Sequence, residues 1–157
     1  MDINNINDII KITKYLLFTN DCRNFMENNY NKFMNVSIIL PTFNEKKNIL
    51  LLVNLIKQKL KNIDNEIIII DDNSPDKTAY ACKKKFKNNK TIKILKNKKR
   101  LGFSESIHRG ILNSSKKMII VMDADFTHDP ILIPKMLRLS KCFCNFIWDK
   151  KYFSKWN

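Results

Sequence analysis

The chain has 157 residues, of which 44% are hydrophobic, and a formal net charge of +14 at pH 7. This length and apolar content are typical of one globular domain with a real core, and they exclude a disordered tail. The charge favours an anionic partner, and nucleic acid, an acidic membrane surface and phosphorylated small molecules all qualify.

The same composition bounds the cellular setting. No stretch reaches the roughly 18 consecutive apolar residues of a membrane-spanning helix. The apolar part of the N-terminus is interrupted by Lys11 and Lys14 and lacks a small-residue cleavage site, which disfavours a secretory signal. None of the four cysteines stands in a Cys-x-x-Cys pair, so we expect reduced thiols. The sequence therefore predicts a protein on a cytosolic face, with any membrane contact peripheral.

Residues 1–33 are rich in Asn and charged side chains and are predicted to form a separate N-terminal extension. Ile6, Ile9 and Ile10 loosely follow helical spacing. A marginal helix with a frayed linker and an amphipathic helix on a membrane surface both fit this pattern, as does disorder. The compact domain is predicted over residues 34–157.

From residue 36 onward, apolar runs alternate with helical patterns, which predicts β-α-β units and a mainly parallel sheet. The run 67–70 consists of isoleucines without alternation, as expected of a central strand covered on both faces. The predicted elements are strand 36–40, helix 45–60, strand 66–70, helix 75–86, strand 91–95, helix 104–113, strand 118–122, helix 130–139 and a last apolar stretch 143–148.

Two helix starts carry local signals. Ser74-Pro75-Asp76 offers a capping side chain, a proline at the first helical position and an acid in the first turn. Asp129-Pro130 repeats the first two devices, although Pro134 makes the start of that helix ambiguous.

Two lysine-rich runs, 83–87 and 96–100, carry much of the positive charge. We interpret them as a solvated helix face and a solvated loop. No aromatic-rich recognition motif accompanies them, so a nucleic-acid partner is not expected, although the charge permits one.

The ends of three predicted strands are polar, at segments 41–45, 71–76 and 123–125. Ligands of open α/β sheets bind beyond the carboxyl ends of the strands, so these segments are predicted to form a site. The chain has two glycines, Gly102 and Gly110, so it can build neither a G-x-G-x-x-G loop nor a P-loop. This argues against nicotinamide cofactors and P-loop nucleotides.

Asp123 and Asp125 follow an apolar run and would extend two carboxylates from the end of a buried strand. Hard cations such as Mg²⁺ bind a few carboxylate oxygens together with the oxygens of a substrate diphosphate. The pair therefore suggests a metal site for a phosphorylated donor. The alternative for each Asp is a turn former or a helix cap.

Taken together and in this order, these segments resemble family 2 glycosyltransferases with the GT-A fold, and within that group the dolichyl-phosphate mannose synthases. The resemblance covers about residues 36–152. It implies a Rossmann-like, mainly parallel α/β sheet with helices on both faces and with the distal part missing. The matching segments are Ile39-Leu40-Pro41-Thr42-Phe43-Asn44-Glu45, Glu66-Ile67-Ile68-Ile69-Ile70-Asp71-Asp72-Asn73-Ser74-Pro75-Asp76-Lys77-Thr78, Leu101-Gly102, Ile107-His108-Arg109-Gly110 and Met122-Asp123-Ala124-Asp125.

The resemblance also implies roles for individual residues. Asp123 and Ala124 belong to the donor site, with Asp123 facing the sugar and ribose. Asp125 binds Mg²⁺ or Mn²⁺, and Thr127 supplies a further metal oxygen. By contrast, His108, Arg109 and His128 are predicted to be structural or solvent-facing. The residues that would hold the guanine nucleotide are Pro41, Phe43, Glu45, Ile70 and Asp72.

The reaction that the resemblance implies is transfer of mannose from GDP-mannose to dolichyl phosphate, with inversion at the sugar carbon. The product serves glycosylation and GPI-anchor synthesis, at the cytosolic face of the endoplasmic reticulum membrane, with partner subunits an open question. The acceptor phosphate is already ionised at neutral pH, so no strong general base is required.

The chain departs from the family pattern in two places. Relatives carry Gly-Thr-Arg-Tyr or Gly-Ser-Arg-Tyr where this chain has Asp149-Lys150-Lys151-Tyr152, and Lys151 would keep the charge of the donor-binding Arg without its bidentate geometry. Relatives also continue well beyond this point. Two alternatives therefore stay open: a related transferase that uses UDP-glucose, and an inactive nucleotide-binding module.

Overall fold

The computed structural model describes residues 35–142. The predicted extension 1–33, the apolar stretch 143–148 and Lys151 lie outside these residues. The elements in chain order are β1 (Asn35–Thr42), α1 (Lys46–Lys59), β2 (Asp64–Asp71), α2 (Thr78–Phe86), β3 (Ile92–Lys96), α3 (Phe103–Leu112), β4 (Met118–Val121), a 3₁₀ helix (Pro130–Leu132) and α4 (Ile133–Cys142).

The four strands form one parallel sheet in the order β3-β2-β1-β4. The chain builds outward from β1 to β3 and then crosses back to place β4 on the other side of β1. This reversal of direction opens a crevice at the carboxyl ends of the strands, where α/β proteins bind ligands. The four isoleucines of β2 are fully buried, as the unbroken apolar run predicts.

Helices cover both faces of the sheet, which confirms the predicted architecture. The larger core lies on one face, where α1, α2 and α4 pack against alternate residues of the strands. The smaller core lies on the other face, where α3 packs on Ile39, Ile68 and Ile70. Between residues 35 and 142, no helix is long and apolar enough to cross a bilayer.

Gly110 lets α3 approach the sheet closely. A Cβ atom built at this position would lie 2.5 Å from Ile39 Cγ2 and 2.9 Å from Ile70 Cδ1. Both distances are shorter than van der Waals contact, so a side chain here would push the helix away from β1 and β2. The glycine thus sets how near α3 lies to β1 and β2.

One helix start was predicted wrongly. Helix α2 begins at Thr78 rather than at residue 75, and its N-cap residue is Lys77 in the left-handed conformation. Ser74 does not cap the helix, because its Oγ accepts a hydrogen bond from the amide of Asn44 at 3.0 Å. The Asp129-Pro130 signal is confirmed as a cap, with Asp129 Oδ1 accepting from the amide of Ile131 at 2.9 Å, but it begins the 3₁₀ helix that precedes α4.

A buried carboxylate, that of Glu66, connects the strands near their amino-terminal ends. Glu66 is 4% exposed and accepts hydrogen bonds from Ser37 Oγ at 2.6 Å and from the amide and hydroxyl groups of Ser115. Lys93 Nζ lies 2.8 Å from its other oxygen. Burial raises the pKa of Glu66, but the hydrogen bonds with Lys93, Ser37 and Ser115 outweigh it and lower the pKa to about 2. This carboxylate therefore ties the turn before β4 to β1, β2 and β3.

Candidate active site

The connections that leave the carboxyl ends of the strands form one polar edge. Each of the four contains a residue with positive φ: Asn44 after β1, Asn73 and Lys77 after β2, Gly102 after β3, and Phe126 after β4. Lysine and phenylalanine rarely adopt this conformation. Strained backbone of this kind concentrates at binding sites, so the loop geometry itself indicates where the chain is specialised.

Asp72 is the central side chain of this edge, and it is 5% exposed. One oxygen accepts from Asn97 Nδ2 at 2.7 Å and from the amide of Leu101 at 2.8 Å, and the other accepts from the amide of Gly102 at 2.8 Å. Burial raises the pKa of Asp72, but these three hydrogen bonds, together with the charge of Arg100, hold it below its ordinary value. An ionised Asp72 thereby fixes the loop between β3 and α3.

Asn97 is itself held from both sides. Its backbone N–H donates to the carbonyl of Asp71 at 2.8 Å, and its side-chain oxygen accepts a hydrogen bond from Arg109 Nη1. The same guanidinium nitrogen of Arg109 donates to the carbonyl of Lys96 at 3.0 Å. Arg109 is therefore structural, as predicted, and it orients the amide that supports Asp72.

A small cavity opens beside Asp72. Its volume is about 140 Å³. Small-molecule sites commonly have about 300 Å³ or more, so this cavity has room for part of a nucleotide. The Phe43 ring forms one wall, and the guanidinium of Arg100 lies 4.0 Å from the centre of that ring. The lining residues are Pro41, Thr42, Phe43, Asp72, Arg100, Gly102, Phe103 and Ser106.

Arg100 was missed by the sequence reasoning, which assigned it to a solvated loop. The stacking of its flat guanidinium on Phe43 places a cation and an aromatic face at one opening, an arrangement suited to a base or a phosphate. The one sequence signal near it was its position directly before Leu101-Gly102, a segment that already belongs to the family resemblance, but that position does not reveal its contact with Phe43.

Of the other residues that were predicted to hold the nucleotide, one lines the cavity and two do not. Pro41 lines the cavity. Ile70 is fully buried under α3, so its side chain faces the core, and its carbonyl accepts from Thr42 Oγ1 at 3.2 Å. Glu45 is half-buried before α1, outside the cavity lining, and its carboxylate accepts from Asn48 Nδ2 at 2.8 Å.

The segment after β4 carries the two predicted acidic ligands. Asp125 Oδ1 accepts from the amide of Thr127 at 2.9 Å and from its hydroxyl at 2.8 Å. These hydrogen bonds are the main reason that the pKa of Asp125 is lowered, so the carboxylate is ionised at neutral pH. Asp123 Oδ2 lies 3.7 Å from His128 Nδ1, and both side chains are exposed. Ala124 is buried between the two aspartates in the larger core.

The donors of this segment suit a hard cation. Asp125 and Thr127 offer two adjacent oxygens, and Asp123 is near in sequence; Mg²⁺ and Mn²⁺ prefer such ligands. In the part of the chain that the structure describes, no three His, Cys, Asp or Glu side chains form a group able to hold a metal by themselves. A cation held here would thus complete its ligands with water and with substrate phosphates, as Mg²⁺ commonly does.

Comparison with known proteins finds relatives over most of the described residues. A dolichol-phosphate mannosyltransferase of Pyrococcus furiosus is 35% identical over 108 residues, which is 69% of this chain and 30% of that protein. Two solved structures share the fold. A mannosyltransferase from Pyrobaculum calidifontis, in complex with GDP-Man and Mn²⁺, has a TM-score of 0.60 and 17% identity over 67% of this chain and 32% of its own. S. aureus TarS in complex with UDP-GlcNAc has a TM-score of 0.51 and 24% identity over 59% and 27%, respectively.

The chain thus spans about a third of the length of these proteins. The family model for glycosyl transferase family 2 matches residues 37–141, which include β2, β3, β4, all of β1 except its first two residues, and all the cavity-lining residues. The chain belongs to glycosyl transferase family 2.

Proposed function

We propose that this chain forms the donor-binding part of a transferase that moves mannose from GDP-mannose to dolichyl phosphate. The family supports glycosyl transfer, and the name of the Pyrococcus relative supports this acceptor. The Pyrobaculum structure, with its bound GDP-Man, supports this donor.

The observation that carries the proposal is the arrangement around the cavity. Phe43 and Arg100 present an aromatic face and a cation at its opening, while Asp72 holds the adjoining loop in place. The base or ribose of GDP would pack on Phe43, and Arg100 would attract the diphosphate. Asp72 accepts three hydrogen bonds from the protein, out of the roughly four that a carboxylate can accept, so we assign it chiefly to positioning the loop rather than to binding ribose.

Asp125 and Thr127 would hold Mg²⁺ or Mn²⁺, with Asp123 facing the donor sugar. When bound, the cation would neutralise charge that builds on the leaving GDP diphosphate. The acceptor phosphate attacks without first losing a proton, so a single displacement with inversion needs no general base. His128, close to Asp123, is exposed and is not required for this step.

We place this reaction at the cytosolic face of the endoplasmic reticulum membrane, where its product would serve glycosylation and GPI-anchor synthesis. A second candidate function is transfer of glucose from UDP-glucose to the same acceptor, since a cavity of about 140 Å³ has room for part of either nucleotide. A third candidate is nucleotide binding without turnover.

Calorimetry tests the donor assignment directly. GDP, GDP-mannose and UDP-glucose would be titrated into the chain with Mg²⁺, with Mn²⁺ and with a chelator. We expect metal-dependent binding of both guanine ligands. Asp125→Asn should abolish the metal dependence, whereas Asp64→Asn, which changes an exposed acid at the opposite edge, should leave it intact. Failure of the folded chain to bind any nucleotide would refute the donor assignment.

A further inference from the structure

The loop between β3 and α3, together with Phe103 at the start of α3, exposes both cationic and large apolar side chains. Leu101 is 41% exposed and Phe103 is 57% exposed, although both are large and apolar. Lys98, Lys99 and Arg100 precede them and are exposed too. Contiguous apolar and cationic side chains in solvent mark an interaction surface. We call these five residues the docking loop.

We infer that the docking loop is a contact surface for an anionic lipid bilayer. Lys98 and Lys99 would lie among negatively charged headgroups, and Leu101 and Phe103 would enter the boundary between headgroups and acyl chains. The loop thus differs from an ordinary solvated lysine run, the interpretation that its composition alone favours.

The backbone of the loop is already ordered for such contact. Asp72 binds the amides of Leu101 and Gly102, and Arg100 stacks on Phe43. The exposed side chains are therefore presented on a fixed backbone, and less conformational entropy is lost when they bind. The charge balance of this surface is positive, because the exposed acid nearest in sequence is Glu105 and the three exposed cations outnumber it.

The position of the loop explains why a bilayer fits better than another polyanion. Arg100 and Phe103 also line the cavity, so contact through this loop would bring the cavity opening to the headgroup plane. A donor held in the cavity would then lie next to the surface that carries the lipid phosphate. This part of the argument rests on the proposed function, since it takes the acceptor to be a lipid phosphate. A nucleic acid would satisfy the cations but would leave the exposed leucine without a partner.

Sedimentation of the full chain with vesicles tests the inference. One set of vesicles contains phosphatidylcholine alone, and the other also contains phosphatidylserine. We expect binding to the anionic vesicles that weakens as salt is added. The variant Lys98→Gln with Lys99→Gln should bind about twentyfold more weakly, since each cation near an anionic surface contributes about fivefold. Leu101→Gln should bind about fivefold more weakly because it cannot enter the acyl boundary.

Matched controls lie at the other end of the molecule. Lys83→Gln with Lys84→Gln makes the same charge change on α2, and Leu112→Gln removes an exposed leucine at the end of α3. These variants should bind vesicles as the parent does. Equal losses in loop and control variants, or equal binding to both kinds of vesicle, would overturn the inference. So would a poly-uridine oligonucleotide that binds more tightly than the anionic vesicles and depends on Lys98 and Lys99 but not on Leu101.

Calorimetry with GDP on the same variants separates this inference from the proposed function. Lys98→Gln with Lys99→Gln should bind GDP as the parent does while losing vesicles, which supports both. Loop-dependent vesicle binding by a chain that binds no nucleotide would support the docking surface and contradict the proposed donor. If the chain binds nucleotide but its vesicle binding is unchanged in the loop variants, the proposed donor would be supported and the docking surface contradicted.

Discussion

Replacing Glu66 by Gln should destabilise the chain in a pH-dependent way. The variant keeps the shape of the side chain but removes the negative charge of the carboxylate. That carboxylate pairs with Lys93 and accepts hydrogen bonds from Ser37 and Ser115. The pKa of Glu66 falls from an ordinary value of 4.5 to about 2 on folding. At about 1.36 kcal/mol per pH unit, this shift corresponds to roughly 3 kcal/mol. Lys93 is 42% exposed, and screening by water brings the expected loss nearer to about 2 kcal/mol.

The sign follows from the lowered pKa. The stabilisation is fully present above pH 4.5, where the carboxylate is ionised in both states, and it is lost as the pH falls from 4.5 towards 2. Urea unfolding of parent and variant should therefore differ by about 2 kcal/mol at pH 7, and the difference should shrink steadily below pH 4.5. The control Glu105→Gln changes an exposed acid and should shift stability by less than about 0.5 kcal/mol. A difference between Glu66→Gln and parent that stays constant from pH 7 to pH 3 would refute the reasoning.

Three further changes probe the site and its support. Gly110→Ala should cost about 1–3 kcal/mol in urea unfolding, because the added Cβ meets Ile39 at 2.5 Å, and a gain in stability would contradict the close approach of α3. Asp72→Asn cannot accept all three hydrogen bonds, so faster proteolysis between β3 and α3 and weaker GDP binding are expected, and an unchanged cleavage pattern would argue against the anchor. Arg100→Lys keeps the charge but loses the flat guanidinium, so calorimetry should show about threefold weaker GDP binding at unchanged thermal stability.

The order of elements could be predicted from the sequence because it depends on local patterns. The four isoleucines of β2 require cover on both faces, and the alternation with helices requires parallel crossovers. The start of α2 could not be predicted, because the capping hydroxyl of Ser74 is taken by the amide of Asn44 from a different connection. Sequence signals for a cap describe what a side chain can do locally, and they say nothing of a competing donor elsewhere in the fold.

For the site as well, some residues could be expected from local sequence patterns and some contacts could not. Phe43, Asp72 and Asp125 were expected near one another because each follows a strand and the sheet brings the carboxyl ends of its strands together, whereas their individual roles came from the family resemblance. The stacking of Arg100 on Phe43 joins residues from separate connections, so no local spacing reveals it. Nor does the sequence show that Asp72 binds the amides of Leu101 and Gly102. That assignment requires the distance between the end of β2 and the start of α3.

The anchor at Asp72 has a consequence for variation and for engineering. It holds the loop through main-chain amides, which every residue except proline supplies. Side chains at positions 98 and 99 can therefore be exchanged without moving the backbone, whereas position 102 favours glycine because its φ is +95°. The backbone of the loop is therefore fixed, whereas its exposed side chains can be varied. Libraries confined to residues 98–101 should thus retain the fold while altering what the edge beside the cavity binds.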